Sequence, residues 1–248
     1  MPSRSVDRSR RAGTVDPVGS SGLWSVVVAG ADLVVPVRCG GCGASGSRWC
    51  ARCADVLADD PVELSPRVDP GVPTWAMGRY RGVHRAAVLA LKERGRDDLV
   101  APLGDALARG VLDLARWSEI PVDRPRLALI PAPTRRLSAR RRGGDPVTAI
   151  ARHAADRLGR SVAVHPVLRT SMWARDSAGL SARDRVANLD ESVVVQGPST
   201  RLDDLRAGRC AALLVDDVMT TGATAAESVR VLANRGVTVH AVLVIAAA

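Results

Sequence analysis

The sequence has no phenylalanine, a single tyrosine and five tryptophans, so aromatic residues make up 2% of its 248 positions. A core built without phenylalanine must be filled with Leu, Val, Ile and Ala. Holding single-stranded nucleic acid by base stacking takes several aromatic side chains, and few are available. Lysine is almost missing too. Lys92 is the sole lysine, and arginine supplies the rest of the 35 basic residues. A Walker A loop is therefore excluded, because no G-x-x-x-x-G pattern leads into Lys92. No apolar run approaches the ~18 residues that cross a bilayer. Leu23–Val37 is apolar in patches, but it carries Asp32 and no cleavage-site pattern follows it, so it makes a poor signal peptide. A cytoplasmic protein with no membrane insertion is expected. The cysteines agree, since four of the five form a metal-type pattern and not a secreted disulfide framework.

What is present is positive charge. The formal net charge is +9 and the pI about 10.7. Such a balance permits binding to phosphates or nucleic acid. The excess is local, concentrated in residues 1–22 and in the run Arg140-Arg141-Arg142. That run is a candidate for salt-sensitive contact with single-stranded DNA.

The most informative stretch is Leu213–Thr224. Ala211–Val215 reads as a short buried strand, which Asp216 and Asp217 end. Val218 and Met219 lead into a small-residue turn, Thr220-Thr221-Gly222-Ala223-Thr224. Then Ala225, Val229 and Leu232 share a helical face. The free N–H groups and positive dipole end of a helix N-terminus bind phosphate. Threonine hydroxyls add donors, and Gly222 lets the backbone approach closely. Carboxylates would repel that phosphate, so Asp216 and Asp217 fit sugar hydroxyls instead. The implied ligand has a phosphate at one end and a vicinal diol at the other, as ribose 5-phosphate does. Two other readings of an apolar strand ending in Asp-Asp are a Walker B strand and a receiver-domain acidic pocket. The first lacks its Walker A partner. The second places its acids near the start of the fold, whereas these lie near the end.

Cys39-Gly-Gly-Cys42 and Cys50-Ala-Arg-Cys53 form a paired C-x-x-C arrangement. Each pair can present two thiolates to one ion, with glycines allowing tight turns. Four sulfurs in tetrahedral geometry suit a closed, structural Zn²⁺ site. A redox dithiol pair and an iron–sulfur site are the competing readings. Cys210 reads as a small core residue.

The remaining pattern is α/β. Val83–Arg94 and Leu99–Trp117 read as helices, with Gly95 ending the first. Leu127–Ile130 reads as a strand that turns at Pro131-Ala132-Pro133-Thr134 into Arg135 and Arg136. Asp145 and Pro146 are N-cap and N1 of a helix that Gly159 ends. Ser161–Val164, Glu191–Val195 and Val237–Ala247 read as strands, and Leu168–Leu189 as a long polar loop. Alternating strands and amphipathic helices predict a doubly wound parallel sheet, with ligands at the strands' C-terminal ends. The expected organisation is a disordered basic tail over residues 1–22, a zinc-binding module over 23–60, a proline-rich linker over 61–73 and an α/β domain over 74–248.

The Leu213–Thr224 stretch resembles the motif with which type I phosphoribosyltransferases bind PRPP (5-phosphoribosyl 1-diphosphate). The chain from Val37 to Val244 resembles the ComF family of competence proteins (the ComFC/GntX group). Besides the cysteines, the resemblance rests on Tyr80-Arg81-Gly82 and Leu91-Lys92-Glu93-Arg94-Gly95, then Leu129-Ile130-Pro131-Ala132-Pro133. It continues in Leu168-Arg169-Thr170, Gly179-Leu180-Ser181, Arg185 and Asn188-Leu189. It implies a type I phosphoribosyltransferase sheet preceded by a zinc knuckle. It also implies binding of Mg²⁺–PRPP or ribose 5-phosphate, with Asp216 and Asp217 on the ribose and Met219–Thr224 around the 5-phosphate. Arg135 or Lys92 would hold the diphosphate. The implied partners are single-stranded DNA and DNA-uptake proteins. An active phosphoribosyltransferase of nucleotide metabolism or salvage is the alternative. Two departures fall where an acceptor would be read. Arg142-Gly143-Gly144-Asp145-Pro146 stands where the family has Arg-Gly-Phe-Asn-Gln, and a glutamine expected before Gly179 is absent.

Overall fold

Three strands carry the centre of the sheet, and their sequences show why. β3 (Arg126–Pro131), β7 (Cys210–Met219) and β8 (Ala241–Ala247) are nearly continuous apolar runs, as strands covered on both faces must be. The computed structural model describes residues 37–121, 123–133, 145–172, 191–197 and 200–248. The basic tail, the Leu23–Val35 segment, Arg135, the Arg140–Arg142 run and the Gly179–Leu189 motif lie outside the described residues.

β1 (Val62–Glu63), β2 (Thr74–Ala76) and β4 (Val162–Val164) complete a six-stranded sheet in the order β1-β2-β8-β7-β3-β4. Every neighbouring pair is parallel except the short edge pair β1–β2. Alternate residues feed two layers. Leu129, Leu213, Val215, Leu243 and Ile245 face one, shared with α2 (Gly82–Arg94), α3 (Val100–Arg116) and α4 (Pro146–Leu158). Ile130, Leu214, Val242 and Val244 face the other, with α5 (Thr200–Arg206) and α6 (Ala223–Ala233). The fold is thus α/β with helices on both faces of a mostly parallel sheet, built on aliphatic side chains as the composition requires.

Local signals set several boundaries where the sequence places them. Gly95, in the left-handed region at φ 62°, caps α2. The Asp145 carboxylate accepts from the backbone N–H groups of Val147 and Thr148 and caps α4, with Pro146 in its first turn.

Three expectations need correction. β7 does not stop at Val215 but runs through both acids to Met219, because Asp216, Val218 and Met219 pair with Val244, Ala246 and Ala247 of β8. The predicted Leu168–Leu189 loop begins as a strand. β5 (Leu168–Met172) pairs antiparallel with β6 (Glu191–Val195) in a separate two-stranded sheet. The last strand starts at Ala241, four residues later than the apolar pattern suggests.

The cysteine segment, with α1 (Ala51–Val56), belongs to the same compact unit as the sheet, which runs from Arg38 to Ala248. Leu57 joins the core formed with α2 and α3. The Arg96 guanidinium donates to the carbonyls of Arg38 and Arg48 at 3.0 and 3.1 Å, and pairs with Asp98 at 2.7 Å. A Cβ on Gly40 would sit 2.7 Å from the Leu99 methyls, so the glycine lets the corner press onto the turn before α3.

Candidate functional site

The sheet turns in opposite directions from its middle. β3 leads through α4 to β4 on one side, and β7 leads through α6 to β8 on the other, with the two helices on opposite faces. At such a switch point the outgoing chains part and leave a crevice at the strands' C-terminal ends. The step there is large. β3 ends at Pro131, opposite Val215, so Asp216–Met219 overshoot it and have β8 on one side only. Pro133, which has no N–H to give to a ladder, helps end the pairing.

Past β7 the chain makes a tight turn, Thr220–Gly222, and enters α6 at Ala223. Ala223 and Thr224, expected in the turn, are its first helical residues. The N–H of Ala226 bonds the Gly222 carbonyl, and the Thr221 hydroxyl accepts from Ala223. The N–H groups of Thr224 and Ala225 have no intrahelical acceptor, as in any first turn. Thr220, Thr221 and Thr224 are exposed. An open hollow is lined by Asp216, Val218 and the continuous run from Met219 to Ala225. Every residue singled out for the phosphate and sugar lines it except Asp217.

The two acids are not equivalent. Asp217 is 4% exposed, and its Oδ1 accepts from the Lys92 ammonium at 2.8 Å. Its Oδ2 is buried with no hydrogen-bond partner among the described residues. Lys92, in the last turn of α2, is thus brought to the site, where it meets an acid. Asp216 is half-buried, and its Oδ1 accepts from the backbone N–H of Asp217. Burial, then the neighbouring Asp217 charge, pushes the Asp216 carboxyl well above the ordinary carboxylate range, and Asp145 adds to the push. Asp145, read from sequence as a helix cap alone, therefore also acts on the crevice. Its position at the end of the β3–α4 connection was the available signal. Arg135 lies outside the described residues.

The proline-rich segment before β2 packs against the turn at Thr221 and Gly222. Val68 donates its N–H to the Thr221 carbonyl at 2.8 Å. Gly222 has φ +88°, and a Cβ there would lie 2.3 Å from the Val68 carbonyl oxygen and 2.8 Å from Pro66. Gly222 is thus required by its own φ and by this strap of chain. His84 carries no comparable signal in the sequence. Its buried ring nitrogen meets the Met77 carbonyl at 3.2 Å, which ties the start of α2 to the end of β2.

At the cysteine corner Cys39 and Cys42 flank a tight turn, while Cys50 caps α1 and Cys53 lies inside it. The sulfur of Cys39 lies 3.7 Å from those of Cys50 and Cys53, and Cys42 lies 3.6 Å from Cys50. All four sulfurs fall within 4.8 Å of one another. A tetrahedron with Zn–S bonds of 2.3 Å has edges of about 3.8 Å, so the donor set fits a divalent ion. Burial raises the Cys39 thiol, but hydrogen bonds from the Cys42, Gly41 and Cys50 backbone outweigh it and bring it down to about 6. Burial and the three neighbouring sulfurs push Cys53 up. Four sulfurs this close could all ionise only around a cation. The cluster could bind a metal such as zinc.

No family model matches the sequence, and no curated protein matches it. Among the described residues no helix is long and apolar enough to cross a membrane.

Proposed function

We propose that the protein binds the ribose 5-phosphate end of a phosphoribosyl compound, PRPP or a relative, in the crevice between β3 and β7. The observation that carries this reading is the hollow that runs from Asp216 through the exposed threonine turn to the open first turn of α6. A phosphate there would take the N–H groups of Thr224 and Ala225 and the threonine hydroxyls. Asp216 is the acid that faces the sugar. Asp217 works one step back, anchoring Lys92 and shaping the wall. Mg²⁺ would arrive with the diphosphate as part of the ligand. The sheet would then be of the type I phosphoribosyltransferase kind, and the metal at the cysteine corner a structural zinc that fixes the segment beside α2.

The ComF-like order of zinc corner and phosphoribosyl crevice supports a cytoplasmic role in handling incoming single-stranded DNA with DNA-uptake proteins. Its positive charge suits that partner. A working transferase is the second reading. It is favoured by a further pocket that opens beside the same strand ends.

Titration calorimetry with ribose 5-phosphate and PRPP, with and without Mg²⁺, tests the core of this. Both should bind, inorganic phosphate should compete, and Asp216→Asn should weaken both about tenfold, equivalent to about 1.4 kcal/mol. Absence of binding by the wild-type chain would remove the phosphoribosyl reading.

A further inference from the structure

We propose that the neighbouring pocket takes a small acceptor bearing an acidic group, held by Arg152 and Arg169. The inference rests on the transferase reading above and names the substrate class it would act on. The pocket has a volume of about 250 Å³ and shares no lining residue with the phosphate hollow. Pro131 closes one side at the end of β3, and Asp145 and Thr148 form the start of α4. Arg152 lies one turn further on, and Pro166, Leu168 and Arg169 complete the lining.

Its hydrogen-bonding capacity decides the ligand. Asp145 spends its oxygens on the α4 cap, accepting from Val147 N at 3.2 Å and Thr148 N at 3.3 Å. The Thr148 hydroxyl gives its one proton to the same carboxylate. The guanidinium groups of Arg152 and Arg169 are therefore the donors left for a ligand. Among the described residues neither is paired with an acid, unlike Arg96, Arg209 or Arg230. A guanidinium fork matches a carboxylate with two parallel hydrogen bonds. The prolines and Leu168 supply apolar walls suited to the faces of a flat ring. The volume is just below the ~300–1,000 Å³ of ordinary ligand pockets, so the occupant is small. A heteroaromatic carboxylic acid meets all these demands. Its ring would lie beside the strand ends, where a ribose donor on the turn presents its anomeric carbon.

The test is calorimetry on the full chain, with and without saturating ribose 5-phosphate. The probes are pyridine and pyrimidine carboxylates and their neutral carboxamides. The acids should bind at least tenfold more tightly than the carboxamides. Arg152→Met and Arg169→Met, both exposed positions, should each weaken the acids about tenfold and leave ribose 5-phosphate unchanged. Equal binding of acids and carboxamides, no binding of acids at all, or acids indifferent to both substitutions would overturn the proposal. So would variants that weaken PRPP relative to ribose 5-phosphate, because the arginines would then belong to the diphosphate. Loss of the phosphoribosyl reading alone is a separate result. In that case the unloaded wild-type chain binds the acids in an arginine-dependent way and ignores ribose 5-phosphate.

Discussion

At the cysteine corner all four sulfurs come from a short span, with Cys39 and Cys53 only 14 positions apart. At the crevice Lys92 and Asp217 meet across 125 positions. The corner can be assembled by local turns once a cation is present. The crevice exists only after the sheet has brought β3, β7 and α2 together. The corner is also closed, with its four sulfurs within 4.8 Å of one another, whereas the crevice leaves first-turn N–H groups without an intrahelical acceptor and its threonines exposed. One region has the features of structure, the other those of binding.

The largest expected effect tests whether the corner is structural. Cys53→Ser should lower the metal content from about one zinc per chain to nearly none by elemental analysis, and Cys210→Ser should leave it unchanged. A structural zinc site is worth on the order of 10 kcal/mol. Because Gly40 presses on Leu99 and Leu57 joins the common core, the whole unit from Arg38 onward should melt as one transition at lower temperature. Two separate transitions would make the corner an independent module and sharpen the contrast the other way.

Next comes the long-range pair. Lys92→Met leaves the Asp217 charge buried without its cation, which should cost about 3 kcal/mol by denaturant titration. The double variant with Asp217→Asn should lose clearly less than the sum of the single changes. Strict additivity would mean that the two charges do not depend on each other.

The smallest effect belongs to Asp216. Its carboxyl is raised in the folded state, so the folded protein holds this proton more tightly than the unfolded chain. Stability is therefore lost as pH rises from the ordinary carboxylate range through the raised folded value. Asp216→Asn should be the more stable protein at pH 7, and the advantage should fade as pH falls towards 4. An advantage independent of pH would point to packing rather than to charge.

Much of this is legible in the sequence, and what is not has a common cause. The cysteine spacing, the acid-bearing turn, the caps at Gly95 and Asp145 and helices α2 to α4 are all local signals. Two aspartates look like a strand end, yet pairing with β8 carries the backbone of β7 on to Met219. β5 was hidden because Leu168–Met172 is short and partly polar, and its partner β6 lies about twenty residues away. Lys92 stands out for its rarity, but no pattern in the sequence joins it to Asp217. The tie of Arg96 to the carbonyls of Arg38 and Arg48 is invisible for the same reason.

The strap before β2 carries one more consequence. Read as a string of prolines it is a spacer, the sort of segment that tolerates insertion and deletion. In the folded chain Leu64 is bonded to Thr74, Val68 to Thr221, and the Val68 carbonyl lies against Gly222. It is pinned at its start and again at its middle, and it enters β2 at Thr74. Its length is therefore fixed by the turn beneath it. A residue added or removed between Pro66 and Pro73 would shift the strap's register on Thr221, so the geometry of the crevice is written partly in a stretch that supplies none of the hollow's lining residues.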